Sequence, residues 1–290
     1  MNSPTGIIAL LFLLIIFSGC VSIPEDPYVL SRRAGAVPME NYSDCDRPQT
    51  MDMTLPAASP YEGIDPEGFT LLNWNMMKGG GEGWEDDFAR LADGADLLTL
   101  QEAYLNDGLH RLLYLEEYQW ELTAAFLMGR REAGVLTGSR TAPVFFCASR
   151  FTEPLIGIPK TALISLYPMS GTGRSLLVAN VHLINFTLGT DDYRDQLREL
   201  ERLLSGHQGP ILLAGDFNTW SEGRMTVVEG LADSLGLRKV VFSHGDPSFV
   251  LGRPVDHIFY RGLEIVEARA ERVSTSDHHP LLAKFRMAER

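Results

Sequence analysis

The sequence predicts an α/β or α+β sandwich, and three observations carry that expectation. From Phe69 to Phe285 the chain runs through many short apolar, β-like segments punctuated by Gly, Pro, Thr and Ser, with a few amphipathic helical stretches between them. No internal repeat, heptad or low-complexity tract suggests a solenoid or a coiled coil. Polar side chains recur where the apolar runs stop, which is where ligand sites form in layered sheets. A chain of 290 residues, 45% hydrophobic, is long enough to bury one large core or two small ones.

The elements justify this in order. Phe69 to Met76 reads as a first core strand carrying Asn75 near its end, and Gly79-Gly80-Gly81 as a flexible loop. Trp84 to Leu91 reads as a helix, because Trp84, Phe88 and Leu91 share one face. Asp96 to Glu102 is a second strand ending in Gln101-Glu102. Gln119 to Phe126, Gly134 to Ser139, Val144 to Ala148 and Thr161 to Tyr167 are further strands, and Arg174 to Leu183 is a longer one with His182 near its end. Asp191 to Leu204 is amphipathic, with Leu197, Leu200, Leu203 and Leu204 on one side. Ile211 to Ala214 is an apolar strand leading into Gly215-Asp216-Phe217-Asn218, where the glycine permits a close turn or an unusual φ. Arg224 to Leu235 is expected to be helical. Val255 to Tyr260, Leu263 to Val273 and Leu281 to Phe285 complete the strands.

Ahead of this domain the texture differs. Residues 7–17 form an apolar run of 11, too short to span a bilayer comfortably and suited to a signal-peptide core. An ordinary signal peptide or an amino-terminal anchor helix accounts for the run as well. Ser18-Gly19-Cys20 resembles the bacterial lipoprotein processing site, although residues 1–6 lack Lys and Arg and Phe17 stands where Leu is usual. Residues 1–20 are thus expected to be a signal peptide with a lipobox-like Cys20, giving a lipid-anchored protein of the cell envelope. Val21 favours the outer membrane or periplasmic face. Residues 21–66 hold seven prolines and no clear period, and read as a Pro-rich linker. Cys45 and Cys147 could pair in an oxidising compartment, or Cys147 could pack as a buried free thiol. The net charge of −13, with no basic run, argues against strong nonspecific nucleic-acid binding, though not against one local nucleic-acid site.

An isolated Asp-x-Asn is ordinarily a turn former, and a lone Gln-Glu at a strand end is ordinarily a solvated loop. The ordered set is different. Asn75, Gln101-Glu102, His182, Gly215-Asp216-Phe217-Asn218, Val255-Asp256-His257-Ile258 and Ser276-Asp277-His278-His279-Pro280 together resemble the endonuclease/exonuclease/phosphatase superfamily, which includes deoxyribonuclease-type nucleases, abasic-site endonucleases, sphingomyelinases and inositol polyphosphate phosphatases. The stretch from Val181 to Phe186 looks like a bacterial branch of it. The resemblance implies an α/β four-layer sandwich, two packed mixed β-sheets flanked by helices, over residues 67–288.

It also implies roles. Hydrolysing a phosphate ester needs positive charge near the phosphoryl oxygens and an oriented water opposite the leaving group. Glu102 matches the family's metal glutamate, with Asp277 beside the metal or a second one, and Mg²⁺ is the expected ion with Mn²⁺ as the alternative. Asp216 matches the aspartate that orients the water, and Asn218 the amide that positions phosphate or nucleophile. Asp256 is expected to fix the tautomer of His278, which contacts the scissile phosphate. Asn75 joins the cluster, and His182 matches a histidine of deoxyribonuclease-like and sphingomyelinase-like members. Lys160 is a weaker candidate for a substrate phosphate, since a plain surface loop explains it equally. Met77 stands where some members place another acidic ligand. His257 and His279 read as structural or substrate-side, and His110, His207 and His244 as surface residues. The expectation is a monomeric, metal-dependent phosphoesterase, favoured as a phosphodiesterase or nuclease, acting on nucleic acid, a phospholipid head group or a small phosphate ester. The alternative is a catalytically silent binding protein on the same fold.

Overall fold

A computed structural model of the chain describes residues 21–39, 45 and 63–288. The signal segment with Cys20 lies outside the described residues. The strands are β1 (Val21–Ser22), β2 (Tyr28–Ser31), β3 (Gly35–Pro38), β4 (Phe69–Asn75), β5 (Leu97–Tyr104), β6 (Gln119–Met128), β7 (Arg131–Ser139), β8 (Phe145–Thr152), β9 (Pro159–Pro168), β10 (Ser175–His182), β11 (Ile211–Asp216), β12 (Arg238–Lys239), β13 (Phe249–Val250), β14 (Arg253–Pro254), β15 (Asp256–Arg261), β16 (Leu263–Ala270) and β17 (Leu281–Met287). The helices are α1 (Trp84–Ala92), α2 (Asp107–Leu115), α3 (Asp191–Ser205) and α4 (Glu222–Ser234), with a short 3₁₀ turn at Met77–Gly79. Every strand and helix expected from Phe69 onward is present, within a few residues at each end. Helix α2 was not expected; Asn106 caps it, its side chain accepting from Leu109 N–H at 2.9 Å.

Two mixed sheets pack face to face. One runs β16-β17-β4-β5-β7-β6-β2-β3, with β1 also on β6, and the other runs β12-β15-β11-β10-β9-β8. Alternation along the strands builds the layers. Leu72 and Trp74 of β4 and Leu98 and Leu100 of β5 point outward to meet Phe88, Leu91, Leu109 and Leu113 of α1 and α2. Leu177, Ala179, Ile211 and Leu213 point outward to α3 and α4. Phe69, Leu71, Leu97, Leu176, Val178, Leu212, Ala214, Ile258 and Tyr260 fill the space between the sheets. These inward rows change character toward one edge. Phe69 and Leu71 give way to Asn73 and Asn75, Val178 to Asn180 and His182, and Ala214 to Asp216. The inter-sheet layer is therefore apolar at one end and polar at the other, and the polar end holds the site.

The linker reading of residues 21–66 needs correcting in its first part. β2 pairs antiparallel with β6 and with β3, and β1 pairs with β6, so residues 21–38 extend the first sheet. Val29 is fully buried, packed with Met39, Val135 and Leu163. The physical reason is an edge: β6 offers a row of free backbone groups, and the short Tyr28-Val29-Leu30 run is apolar enough to cover it but too short to announce a strand. Residues 40–44 and 46–62 lie outside the described residues. Cys45 is bridged to Cys147 with a Cα–Cα distance of 5.4 Å, which decides between the two readings of Cys147.

Candidate active site

The site is a row of side chains across three strands. His182 of β10 pairs in register with Asp216 of β11, which pairs in register with Asp256 of β15. In-register residues share a face, so all three point into the polar end of the inter-sheet layer. Gly215 makes this approach possible: its φ is +152°, and a Cβ there would stand 1.9 Å from the Val181 carbonyl oxygen. Asn75 reaches across from the opposite sheet and donates from Nδ2 to Asp216 Oδ2 at 3.1 Å. Asn218, at φ +51°, a conformation Asn tolerates, donates its backbone N–H to Asp216 Oδ1 at 2.9 Å, while its Nδ2 donates to the Leu183 carbonyl at 2.9 Å. Asp216 is thus held from both sheets.

His278 donates from Nδ1 to Asp256 Oδ2 at 2.7 Å, leaving Nε2 3.9 Å from Asp216 Oδ2. Burial works against a charge on His278, but the Asp256 carboxylate outweighs it and raises the pKa to about 10, so the ring is an imidazolium at neutral pH. His182 is the opposite case. Burial and neighbouring Lys160 push it down to about 3. With that value the His182 ring is neutral at pH 7; Lys160 Nζ lies 2.6 Å from His182 Nε2, and burial lowers the pKa of Lys160 from the usual lysine value. His182 Nε2 also lies 3.3 Å from Asp216 Oδ2. Lys160 is therefore not a surface-loop residue: it sits on β9 against His182.

Glu102 enters from β5 by a local irregularity. The β5–β7 register shifts between Leu100 and Ala103, and Glu102 has φ +48°. Strict alternation after Gln101 would turn Glu102 toward the helices; the bulge re-aims it to the polar edge. Burial opposes its charge, yet Lys78, paired with it, helps hold its pKa at about 2. Asp277 is exposed beside His278, and contributes to the positive character of that ring without entering the buried row.

Residues 72–278 match the model of the endonuclease/exonuclease/phosphatase family. The chain belongs to that family. It is 42% identical over 224 residues to a UPF0294 protein of Vibrio vulnificus, covering 77% of this chain and 78% of that one, and 35% identical to a UPF0294 protein of Vibrio campbellii over 96% of both chains. Among solved structures it is similar to the human Nocturnin catalytic domain with bound sulfate anion, with a TM-score of 0.63 and 19% identity over 80% of this chain and 98% of that one. It is also similar to ANGEL2, a 2′,3′-cyclic phosphatase, with a TM-score of 0.59 and 19% identity over 78% of this chain and 98% of that one. These likenesses show the endonuclease/exonuclease/phosphatase fold.

Enzymes of this family use a divalent metal, and two groups here have the donor chemistry for one. Asp216, Asp256 and His278 offer atoms all within 4.8 Å of one another, and Asp256 Oδ1 is buried with no hydrogen-bond partner. A protonated imidazole is a poor ligand, however, and His278 is held protonated by Asp256. Glu102 is the better donor, since it is a carboxylate fixed in its charged form with its side chain 24% exposed, and Mg²⁺ binds through one or two carboxylates while keeping its waters.

Several supporting contacts escaped the sequence. Gln101 donates to Asn180 Oδ1 at 2.7 Å and to Asn73 Oδ1 at 3.1 Å, and Asn180 donates to the Leu136 carbonyl at 2.8 Å, a polar network that links the two sheets beneath the site. Ser276 donates to the Asn75 carbonyl at 2.7 Å and Trp74 Nε1 to the His278 carbonyl at 3.0 Å, pinning the Ser276–Pro280 loop to β4. Arg224, fully buried, donates to the carbonyls of Ile184, Asn185 and Asn218 and stacks on Tyr193 and Trp220. Asn73, Gln101 and Asn180 sit on strands where alternation would place an apolar residue, and that misfit was the available signal. His257 is buried, with Nε2 2.7 Å from Thr219 Oγ1 and its pKa pushed by burial to about 3. His279 lies against the Asp246 carbonyl. His110 and His244 are exposed, whereas His207 is half-buried, its Nε2 3.1 Å from the Pro210 carbonyl.

Proposed function

We propose that this chain hydrolyses phosphate esters with a Mg²⁺ ion held by Glu102, acting as a phosphodiesterase or nuclease, with Mn²⁺ able to substitute. One observation carries the reading: an anchored carboxylate, Asp216, lies between a protonated imidazole, His278, and a neutral one, His182, backed by Lys160. This is the charge pattern an in-line displacement at phosphorus needs. Asp216, oriented by Asn75 and the Asn218 backbone, orients a water and takes up its proton. His278, fixed by Asp256, places a positive N–H toward a phosphoryl oxygen, and Lys160 packs against His182 Nε2 and orients its ring. Glu102 would hold the metal, which supplies further charge neutralisation when bound. Asp277, at the exposed rim, is the candidate for a second or outer contact with an ion.

The binding-protein alternative is disfavoured because none of the polar positions of the row is replaced by an apolar residue. We also propose that the protein is monomeric and lipid-anchored through Cys20 in the cell envelope, at the outer membrane or periplasmic face. The apolar run before Cys20 supports this; among the described residues no helix is long and apolar enough to cross a membrane.

The test is turnover by the full chain of bis-p-nitrophenyl phosphate, plasmid DNA, RNA, phospholipid and inositol phosphates, with Mg²⁺, Mn²⁺ or EDTA. Metal-dependent hydrolysis should fall by about 10²–10⁴-fold in Asp216→Asn and in His278→Ala, each with an unchanged circular dichroism spectrum. Undiminished turnover in both variants would remove the site assignment.

A further inference from the structure

The edge that carries the proposed site holds half of the large exposed apolar side chains among the described residues. Twelve large apolar side chains stand exposed among the described residues, and six of them lie at the tips of three connections at this edge. Leu155 and Ile156 occupy the β8–β9 turn, and Phe186 and Leu188 follow β10 just past His182. Val250 and Leu251 cap the β13–β14 hairpin, with Leu188 and Leu251 82% and 80% exposed. Scattered single apolar residues need no explanation, but a cluster around a site does.

These tips are built, not loose. Glu153, completely buried, accepts from the backbone N–H of Asn185 at 2.5 Å and of Phe186 at 2.7 Å, clipping the two loops together. Trp220 Nε1 donates to Asn185 Oδ1 at 2.8 Å, fixing the same loop to the one that follows Asp216. On the other side, Val255 N–H donates to the Ser248 carbonyl and His279 N–H to Ser248 Oγ, tying the hairpin to the neighbours of Asp256 and His278. The hairpin's two turn residues are Leu251 at φ +51° and Gly252 at φ +77°. A turn with two positive φ values is normally built from Asn, Asp or Gly, so a leucine there keeps an apolar tip at a conformational cost.

The chain's own course says what meets this edge. Val21 pairs with Met128 at the β6–β7 turn, and β6 ends on the same edge as β4 and β5, which deliver Asn75 and Glu102. Arg150, near the end of β8, donates to the carbonyls of Pro24 at 2.7 Å and Glu25 at 3.1 Å, holding the following residues to the second sheet at that edge as well. Immediately upstream in the sequence lies the apolar run of residues 7–17. We infer that the catalytic edge docks on a lipid bilayer, with the tips at Leu155–Ile156, Phe186–Leu188 and Val250–Leu251 inserted to the headgroup boundary, about 5–10 Å deep, as amphipathic surfaces are. The active site then opens onto the membrane surface, where the phosphate esters it meets are at the lipid–water boundary. A net charge of −13 offers no attraction to an anionic bilayer, so the apolar tips carry the contact and its salt dependence is weak.

This inference rests on the membrane attachment proposed above and not on the catalytic reading, so its test does not read turnover. The full chain with Cys20→Ser, combined in turn with Leu188→Cys, Leu251→Cys or Leu115→Cys, is labelled with an environment-sensitive fluorophore and mixed with phosphatidylcholine vesicles containing nitroxide-quencher lipids. Leu115 is the control, exposed at the end of α2 away from the site. All three proteins should float with the vesicles, and quenching at positions 188 and 251 should be several-fold stronger than at 115. Flotation with equal quenching at the three positions would overturn the docking edge, and so would failure of these proteins to float; the attachment through Cys20, which they lack, is judged separately by whether the chain with Cys20 intact partitions with membranes.

Discussion

At the scale of the residue, the site depends on two histidines driven in opposite directions by their neighbours. Asp256 raises His278 and burial beside Lys160 lowers His182. Because the folded pKa of His278 lies above its unfolded value, the His278–Asp256 pair stabilises the fold fully below pH ~6.5 and loses that contribution as pH rises through about 10. Asp256→Asn removes the carboxylate that sustains the imidazolium. In that variant the His278 resonance should titrate with a lowered midpoint, nearer the ordinary histidine value, and turnover should decline between pH 6 and 8, a range over which the proposed activity of the parent protein should stay level. Imidazole proton NMR checks the first expectation and a pH–rate profile the second; an unmoved midpoint would mean that Asp256 does not set the charge of His278.

At the scale of the element, what matters is which face of a strand each side chain occupies. The bulge in β5 puts Glu102 on the site side, and Gly215 lets β11 lie close enough to β10 for Asp216 to sit beside His182. The same alternation creates a liability on β6. Glu121 faces inward, buried, with Ser31 donating to Oε1 and no partner for Oε2, and burial raises its pKa to about 7. Its folded pKa lies above the unfolded one, so the stability it allows is complete below pH ~4.5 and is lost as pH rises through about 7. Glu121→Gln should therefore be the more stable form at pH 8, by roughly 1–3 kcal/mol, with the difference shrinking toward pH 5. Denaturant midpoints at the two pH values test this, and a variant no more stable than the parent at pH 8 would contradict it.

At the scale of the whole molecule, the first sheet is completed by residues ahead of the family domain, and the bridge from Cys45 to Cys147 closes a loop of 102 residues. A cross-link over that separation stabilises chiefly by restricting the unfolded chain, by up to about 4–5 kcal/mol in the loop-entropy model. Reduction under mild denaturant should lower the unfolding midpoint, with the Cys147→Ala variant insensitive to reductant. Equal midpoints with and without reductant in the parent protein would show that the bridge contributes nothing.

The sequence by itself determined the order and type of most elements from Phe69 onward, helix α2 and the short strands β12 to β14 excepted, because apolar periodicity is local; it also marked Asn75, His182, Asp216, Asp256 and His278, polar residues that stand where the apolar runs stop and that the family resemblance joins into one set. It did not determine that Tyr28–Ser31 is a strand, since a short segment gains that shape only from the edge of β6. It did not separate Lys160 from a surface loop, because the contact with His182 joins β9 to β10 across the sheet. Nor did it foresee the Asn73–Gln101–Asn180 network, in which each amide is costly alone and is satisfied only when the two sheets meet. Charge states, bulges and the company kept by exposed leucines follow from three-dimensional neighbours. For that reason the residue types were legible in one dimension, while their protonation and the neighbours that fix them were decided only by the tertiary structure.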